Sequence, residues 1–144
     1  MTASLATCAA MIRAGGLIVA ATGLAMIVGV TPLGAPALTF LLDLVFLPLD
    51  GAPAAFGPDA GLLAAIAGGL MVGWGWTVYL VGARVFPRDP ALARALLLPG
   101  ILAWFVADGI GSVLAGAWFN AVLNVGFLAL LAAPLLPRRK AAAA

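Results

Sequence analysis

The chain has 144 residues, of which 65 % are apolar and 8 % are charged, whereas charged residues make up roughly a quarter of an ordinary soluble domain. A small soluble domain buries only about two-thirds of the surface of its unfolded chain, so this much apolar surface predicts an integral membrane protein. Seven basic residues against five acidic ones disfavour nucleic-acid binding. With no histidine and one cysteine, Cys8, histidine catalysis, histidine-ligated haem, internal disulfides and cysteine-rich metal sites are excluded, and we expect no metal and no cofactor.

Three apolar stretches follow one another along the chain, at residues 11–30, 61–85 and 91–136. The last is about twice as long as the roughly 20 residues that cross a bilayer. It therefore folds back, either near Asp108–Ser112 or near Leu114–Ala117, where glycine favours a turn. We predict an all-α, four-helix transmembrane bundle that forms a single domain, 1–144, with helices at about residues 9–31, 60–86, 91–110 and 113–136.

The charges agree with four crossings, because these place all basic residues on one side of the membrane. These residues are Arg13, Arg84, Arg88, Arg94, Arg138, Arg139 and Lys140. The basic side of a membrane protein is normally cytoplasmic. We therefore predict a protein of the bacterial cytoplasmic (inner) membrane with both termini in the cytoplasm. In the alternative, residues 17–30 with Ala35-Pro36-Ala37 form a cleaved signal peptide and leave three crossings.

The first loop, residues 32–59, is rich in proline and is predicted to be extracytoplasmic. It contains an apolar segment, residues 37–49, that is too short to span a bilayer. A short helix that lies in the interface or re-enters the membrane fits this segment. Its acids, Asp43 and Asp50, mark the water-facing side.

Glycines recur every seven residues in the second long helix. Membrane helices pack through small residues that let their backbones approach. Gly16 and Gly23 of the first helix have the same spacing, and Gly69 and Gly73 add a pair of small residues on an adjoining face. We predict that two glycine-lined faces on one helix serve one contact inside the bundle and one with a second copy in a homo-oligomer. The members of the stripe are Gly61, Gly68, Gly75 and Gly82.

Polar residues at membrane depth gather in the last third of the chain. Trp104, Asp108, Ser112, Asn120 and Asn124 recur at multiples of four residues, a spacing that puts neighbours on one helix face. Because polar groups inside a membrane are costly, this cluster is our candidate ligand site or ion pathway. Two interpretations of Asp108 stay open: a proton or cation relay hydrogen-bonded to asparagine, or a turn residue with its carboxylate in interfacial water.

Two tryptophans, Trp74 and Trp76, lie well inside the second long helix. Buried indoles need a partner for their N–H group. Both residues are therefore candidates for lining a ligand cavity, although core packing is the commoner role of such residues.

Several short segments resemble small uncharacterised four-helix bacterial inner-membrane proteins. The resemblance is carried by Phe46-Leu47-Pro48-Leu49-Asp50-Gly51, by Gly73-Trp74-Gly75-Trp76 and by Trp104-Phe105-Val106-Ala107-Asp108 together with Asn120 and Asn124. It implies the four-helix fold and no activity.

Three functions are compatible with this sequence. The first is a non-catalytic accessory or scaffold subunit of a larger membrane complex. The second is an oligomeric pathway for a small solute or ion, or a binder of a lipophilic ligand, built on the Asp/Asn cluster. The third is a membrane-embedded enzyme that modifies a lipid or isoprenoid, with Asp108 as acid or base and a loop acid as the second titratable group that such chemistry needs.

Overall fold

The computed structural model describes residues 4–50 and 57–136, and this part of the chain is all-helical, with no strand. Its elements are α1 (Leu5–Gly29), α2 (Ala35–Phe46), α3 (Pro58–Leu80), a π-helical turn (Val81–Val85), α4 (Pro90–Leu114), α5 (Trp118–Ala132) and a 3-10 turn (Ala133–Leu135). Two helix starts have side-chain caps: Ser4 Oγ accepts from the Thr7 N–H at 3.1 Å, and Asp89 Oδ1 accepts from the Leu92 N–H at 2.9 Å. Such caps satisfy N–H groups that have no partner within the helix.

Four helices are long and apolar enough to cross a membrane, as the sequence predicts. They are Leu5–Gly29, Asp59–Val85, Pro90–Leu114 and Trp118–Leu135. Their outward faces carry large apolar side chains. On α3, for example, Leu62, Leu63 and Leu70 are each between 62 % and 71 % exposed. So continuous an apolar surface fits lipid as its surroundings.

Glycines bring α1 and α3 into backbone contact. A Cβ atom added at Gly75 would lie 2.5 Å from the Gly16 carbonyl oxygen, and one added at Gly68 would lie 2.6 Å from the Gly23 carbonyl oxygen. No real side chain tolerates such distances, so glycine is required at these crossings. Gly82 likewise abuts Ile12 of α1. Gly61 does not belong to this contact, because no atom of the described residues outside its own helix turn lies within 4 Å of a Cβ added there.

The tightly packed core fills the half of the bundle in which α1 begins and α3 ends. Ile12, Val78, Ile101 and Leu131 come from four different helices, and each is no more than 2 % exposed. In the same half, Arg94 Nε donates to the Leu135 carbonyl oxygen at 2.5 Å, which ties the start of α4 to the end of the last span. The opposite half is packed differently and contains the cavity described below.

The last two spans are joined at Ala115-Gly116-Ala117, the second of the two predicted positions. Gly116 has φ +78°, a conformation that favours glycine because it has no Cβ. Asp108 and Gly109 lie inside α4, which continues to Leu114. The interpretation of Asp108 as a turn residue is therefore wrong, and the predicted end of this helix at residue 110 is too early.

The apolar segment of the first loop forms α2, which packs against α1 and α5. Leu38 is buried against Gly29 at the end of α1. Asp43 is also buried, and its Oδ1 accepts a hydrogen bond from the Asp50 N–H at 3.0 Å. The loop acid Asp43 is thus directed into the protein, and it joins the end of α2 to the chain that follows.

The glycine contact gives a direct test of the packing between α1 and α3. We expect Gly75→Ala to lower the stability by about 1–3 kcal/mol, the usual cost of overpacking, because the new methyl group meets the backbone of α1. Gly73→Ala is the matched control: it lies on the same helix, and nothing lies within 4 Å of it. Thermal unfolding of both variants in detergent, followed by circular dichroism, measures the difference. Equal melting temperatures would contradict the glycine contact.

Candidate functional site

Four polar side chains of α4 and α5 form one hydrogen-bonded cluster. Asn120 Nδ2 donates to Asp108 Oδ2 at 3.2 Å and to Ser112 Oγ at 2.8 Å. Asn124 Nδ2 also donates to Asp108 Oδ2. Ser112 and Asn124 are buried, and Asp108 and Asn120 are half-buried. We name these four residues the Asp/Asn cluster.

The antiparallel pairing of α4 and α5 explains why these residues meet. Asp108 precedes the end of α4 by six residues, and Asn124 follows the start of α5 by six residues. At 1.5 Å per residue, both lie about 9 Å from the connecting turn. The spacing of four residues between Asp108 and Ser112, and between Asn120 and Asn124, keeps each pair on one helix face.

The cluster borders a partly open cavity of about 560 Å³ that is lined by residues of α1, α3, α4 and α5. Asp108, Asn120 and Asn124 form the polar part of its wall, and Ser112 lies behind them. The rest of the wall is largely apolar. It consists of Val19, Thr22, Met26, Ala67, Leu70, Met71, Trp74, Trp104 and Phe127.

Two tryptophans bridge the gap between α3 and α4 at the cavity. The ring centroids of Trp74 and Trp104 are 5.4 Å apart, with an interplanar angle of 43°. Trp104 precedes Asp108 by one helical turn, so the aromatic and acidic groups share a face of α4. The other predicted candidate, Trp76, is 52 % exposed and stacks on Tyr79, outside the cavity wall.

Three side-chain oxygens of the Asp/Asn cluster have no hydrogen-bond partner among the described residues. Within the described part of the chain, Asp108 Oδ1 and the amide oxygens of Asn120 and Asn124 have no hydrogen-bond partner. No buried side-chain nitrogen or oxygen among the described residues lacks a partner, so these three oxygens must be accessible. They belong to residues of the cavity wall, and a molecule in the cavity can donate hydrogen bonds to them.

Asp108 is the one charged side chain in the described wall of this cavity. Among the residues that the structure covers, its partners are the two asparagine amides, and no basic side chain pairs with it. The described arginines lie in the other half of the bundle: Arg13 in the third turn of α1, Arg94 in the second turn of α4, and Arg84 and Arg88 in or just after the π-helical turn. The cavity therefore contains an acidic group without a counterion.

The remaining predicted residues lie elsewhere. Asp43 and Asp50 contact each other near α2 and are absent from the described cavity wall. Sequence reasoning missed Thr22, Met71 and Phe127, because single apolar or hydroxyl residues in apolar helices carry no signal for a cavity. The described residues include no group of three or more histidine, cysteine or acidic side chains that could hold a metal ion.

Comparison with models of protein families, with curated proteins and with solved structures finds no match to this chain. The resemblance to small bacterial inner-membrane proteins consequently depends on its short motifs alone.

The hydrogen bond between Asp108 and Asn124 predicts energetic coupling between α4 and α5. In a double-mutant cycle with Asp108→Ala and Asn124→Ala, we expect a coupling of about 1 kcal/mol, a typical value for a polar contact between membrane helices. Equilibrium unfolding in mixed micelles measures it. Val125→Ala replaces Asn124→Ala in the control cycle, because Val125 is the next residue and is 55 % exposed. Additive effects in both cycles would show that the contact contributes nothing.

Proposed function

We propose that this protein binds a lipophilic small molecule within the membrane, in the cavity beside the Asp/Asn cluster. The observation that carries the proposal is the composition of the cavity wall, which is largely apolar and contains three polar side chains that converge from α4 and α5. Small-molecule sites are typically cavities of about 300–1,000 Å³ with apolar walls and a few polar groups that fix orientation. The volume of about 560 Å³ lies in this range.

The position of the cavity supports entry of the ligand from the lipid. Leu70 belongs to the cavity wall and is 71 % exposed. It lies twelve residues after Pro58, the first residue of α3, which is about 18 Å along the helix axis. That depth corresponds to the bilayer interior. The contacts of α4 with this part of the bundle lie mainly at the π-helical turn that follows α3, so α3 and α4 are farther apart at the level of the cavity. An opening between α3 and α4 would therefore face acyl chains.

The packing favours a binding site over a pathway for ions or solutes through one copy of the chain. The half of the bundle beyond the cavity is filled by apolar side chains that are each no more than 2 % exposed, namely Ile12, Val78, Ile101 and Leu131.

A lipid-modifying enzyme gains less support than a binding protein. General acid–base chemistry usually needs a second titratable group, and the loop acids Asp43 and Asp50 are not part of the described cavity wall.

An accessory or scaffold subunit is the second candidate, and the outward face of α3 favours it. Gly69 and Gly73 have nothing within 4 Å, and Trp76 follows on the same face with 52 % of its surface exposed. Small residues on a lipid-facing helix permit close approach of another helix. A second copy of the chain or a larger complex could use this face while the cavity stays occupied.

For orientation, we propose that the end of the bundle that carries the arginines lies in the cytoplasm. Arg13, Arg84, Arg88 and Arg94 belong to that end, whereas the acids Asp43, Asp50 and Asp59 belong to the other. Basic residues mark the cytoplasmic side of membrane proteins. The cavity would then lie in the extracytoplasmic half of a bacterial inner membrane, with both termini in the cytoplasm.

Filling the cavity tests the proposed function. We expect Ala67→Phe to displace the ligand, because Ala67 is part of the wall of the cavity. Ile66→Phe is the matched control: it adds the same ring one residue earlier, at a side chain that is 51 % exposed. Native mass spectrometry of protein released directly from membranes should find a bound small molecule on the wild type and on Ile66→Phe, and none on Ala67→Phe. A wild-type protein without a bound molecule, or equal occupancy in all three, would contradict the proposal.

A further inference from the structure

The chemistry of the cavity wall indicates what kind of molecule it takes. Resting on the function proposed above, we propose that the ligand is a lipophilic organic cation, such as an ammonium or phosphonium compound, whose charge pairs with Asp108. Hydrogen bonding, charge and aromatic geometry each support this assignment.

Hydrogen bonding within the cluster uses donors and leaves acceptors. The side-chain nitrogens of Asn120 and Asn124 both point at Asp108, and the Thr22 hydroxyl donates to the Ile18 carbonyl oxygen at 2.9 Å. The oxygens left open are Asp108 Oδ1 and the two amide oxygens. A ligand that approaches this wall therefore meets three oxygen acceptors, one of them on a carboxylate, which favour a cation or a hydrogen-bond donor; the same wall also contains the indole N–H groups of Trp74 and Trp104 as donors.

The charge of Asp108 has no compensating cation in the described part of the chain. A carboxylate in an apolar setting is costly unless an opposite charge or several hydrogen bonds stabilise it. The two asparagine amides supply part of that stabilisation. Of the four other acids, Asp43, Asp50 and Asp59 lie toward the same end of the bundle, while Asp89 and the described arginines lie at the other end. A bound cation would supply the missing opposite charge.

The indole rings provide a second attraction for a cation. Trp74 and Trp104 both belong to the wall, and their centroids are 5.4 Å apart. The faces of aromatic rings attract cations within about 6 Å, and tryptophan does so best. Because Trp104 lies one helical turn from Asp108, a cation beside the carboxylate is within reach of an indole face. The same rings, with the apolar wall around them, favour organic substituents over a hydrated metal ion.

Three phenyl-substituted probes separate the effect of charge from that of lipophilicity. Tetraphenylphosphonium is a cation, tetraphenylborate is an anion of nearly the same shape, and triphenylphosphine is a neutral compound with one phenyl ring fewer. Binding of each to the full chain in zwitterionic lipid nanodiscs is measured by equilibrium dialysis, with empty nanodiscs subtracted. We expect the wild type to prefer tetraphenylphosphonium over triphenylphosphine by at least about tenfold, and to bind tetraphenylborate no better than empty nanodiscs do.

Two pairs of variants assign the preference to the cavity. Asp108→Asn should lower the affinity for tetraphenylphosphonium about tenfold and leave triphenylphosphine binding unchanged. Its control is Asp59→Asn, which removes an exposed acid in the first turn of α3 and should bind all three probes as the wild type does. Trp104→Leu should also weaken cation binding, whereas Trp76→Leu, outside the cavity, should not. The tryptophan pair keeps the proposal testable if Asp108→Asn does not fold.

The outcomes distinguish the two proposals. Equal binding of the cation and the neutral probe, or a cation preference that survives both Asp108→Asn and Trp104→Leu, would overturn the assignment of a cation and leave the binding function intact. Failure of the wild type to bind any of the three probes would also overturn the assignment of a cation. The binding function is tested separately: it would be overturned if native mass spectrometry found the same amount of bound small molecule on Ala67→Phe as on the wild type.

Discussion

The contact between the backbones of α1 and α3 is the constraint on which the rest of the structure depends. Apolar side chains gain little by leaving lipid for one another, so helices in a membrane associate where backbones can approach. Gly16 and Gly75, and Gly23 and Gly68, permit that approach at two crossings. Because α3 is held against α1, it contacts α4 mainly at the π-helical turn, and Trp74 and Trp104 bridge the space that remains.

The Asp/Asn cluster follows from the same arrangement. Its residues pair α4 with α5 at equal depth. Their oxygens without a hydrogen-bond partner belong to side chains of the wall of the cavity between α3 and α4. In a chain with so few charges, a carboxylate without a counterion among the described residues is an expensive feature at this depth, and the hydrogen bonds that Asp108 accepts from Asn120 and Asn124 offset part of that cost. Binding a molecule that complements the carboxylate gives a physical reason for its position, and this is the reasoning behind the proposed function.

Features that repeat at helical spacing could be predicted from the sequence, and features that depend on helix orientation could not. The spacing of seven residues identified Gly68, Gly75 and Gly82, but Gly61 shares that spacing and has no neighbour, because α1 no longer accompanies α3 at that point. The spacing of four residues identified the Asp/Asn cluster. Asp108-Gly109 suggested a turn, yet α4 continues to Leu114, and the chain turns at Gly116, whose φ is +78°. Trp74 and Trp76 were indistinguishable until the face of α3 that meets the cavity was known.

The location of a bound cation is the most direct test of the proposed site. Tetraphenylarsonium has the shape of the phosphonium probe and contains one arsenic atom, whose anomalous scattering identifies its position in crystals of the complex. We expect a single arsenic peak inside the cavity, beside Asp108 and within about 6 Å of the indole ring of Trp104. In crystals of Asp108→Asn, we expect no peak at that position. An arsenic atom on the outer surface of the bundle, with the cavity empty or filled by acyl chains, would contradict the proposed site.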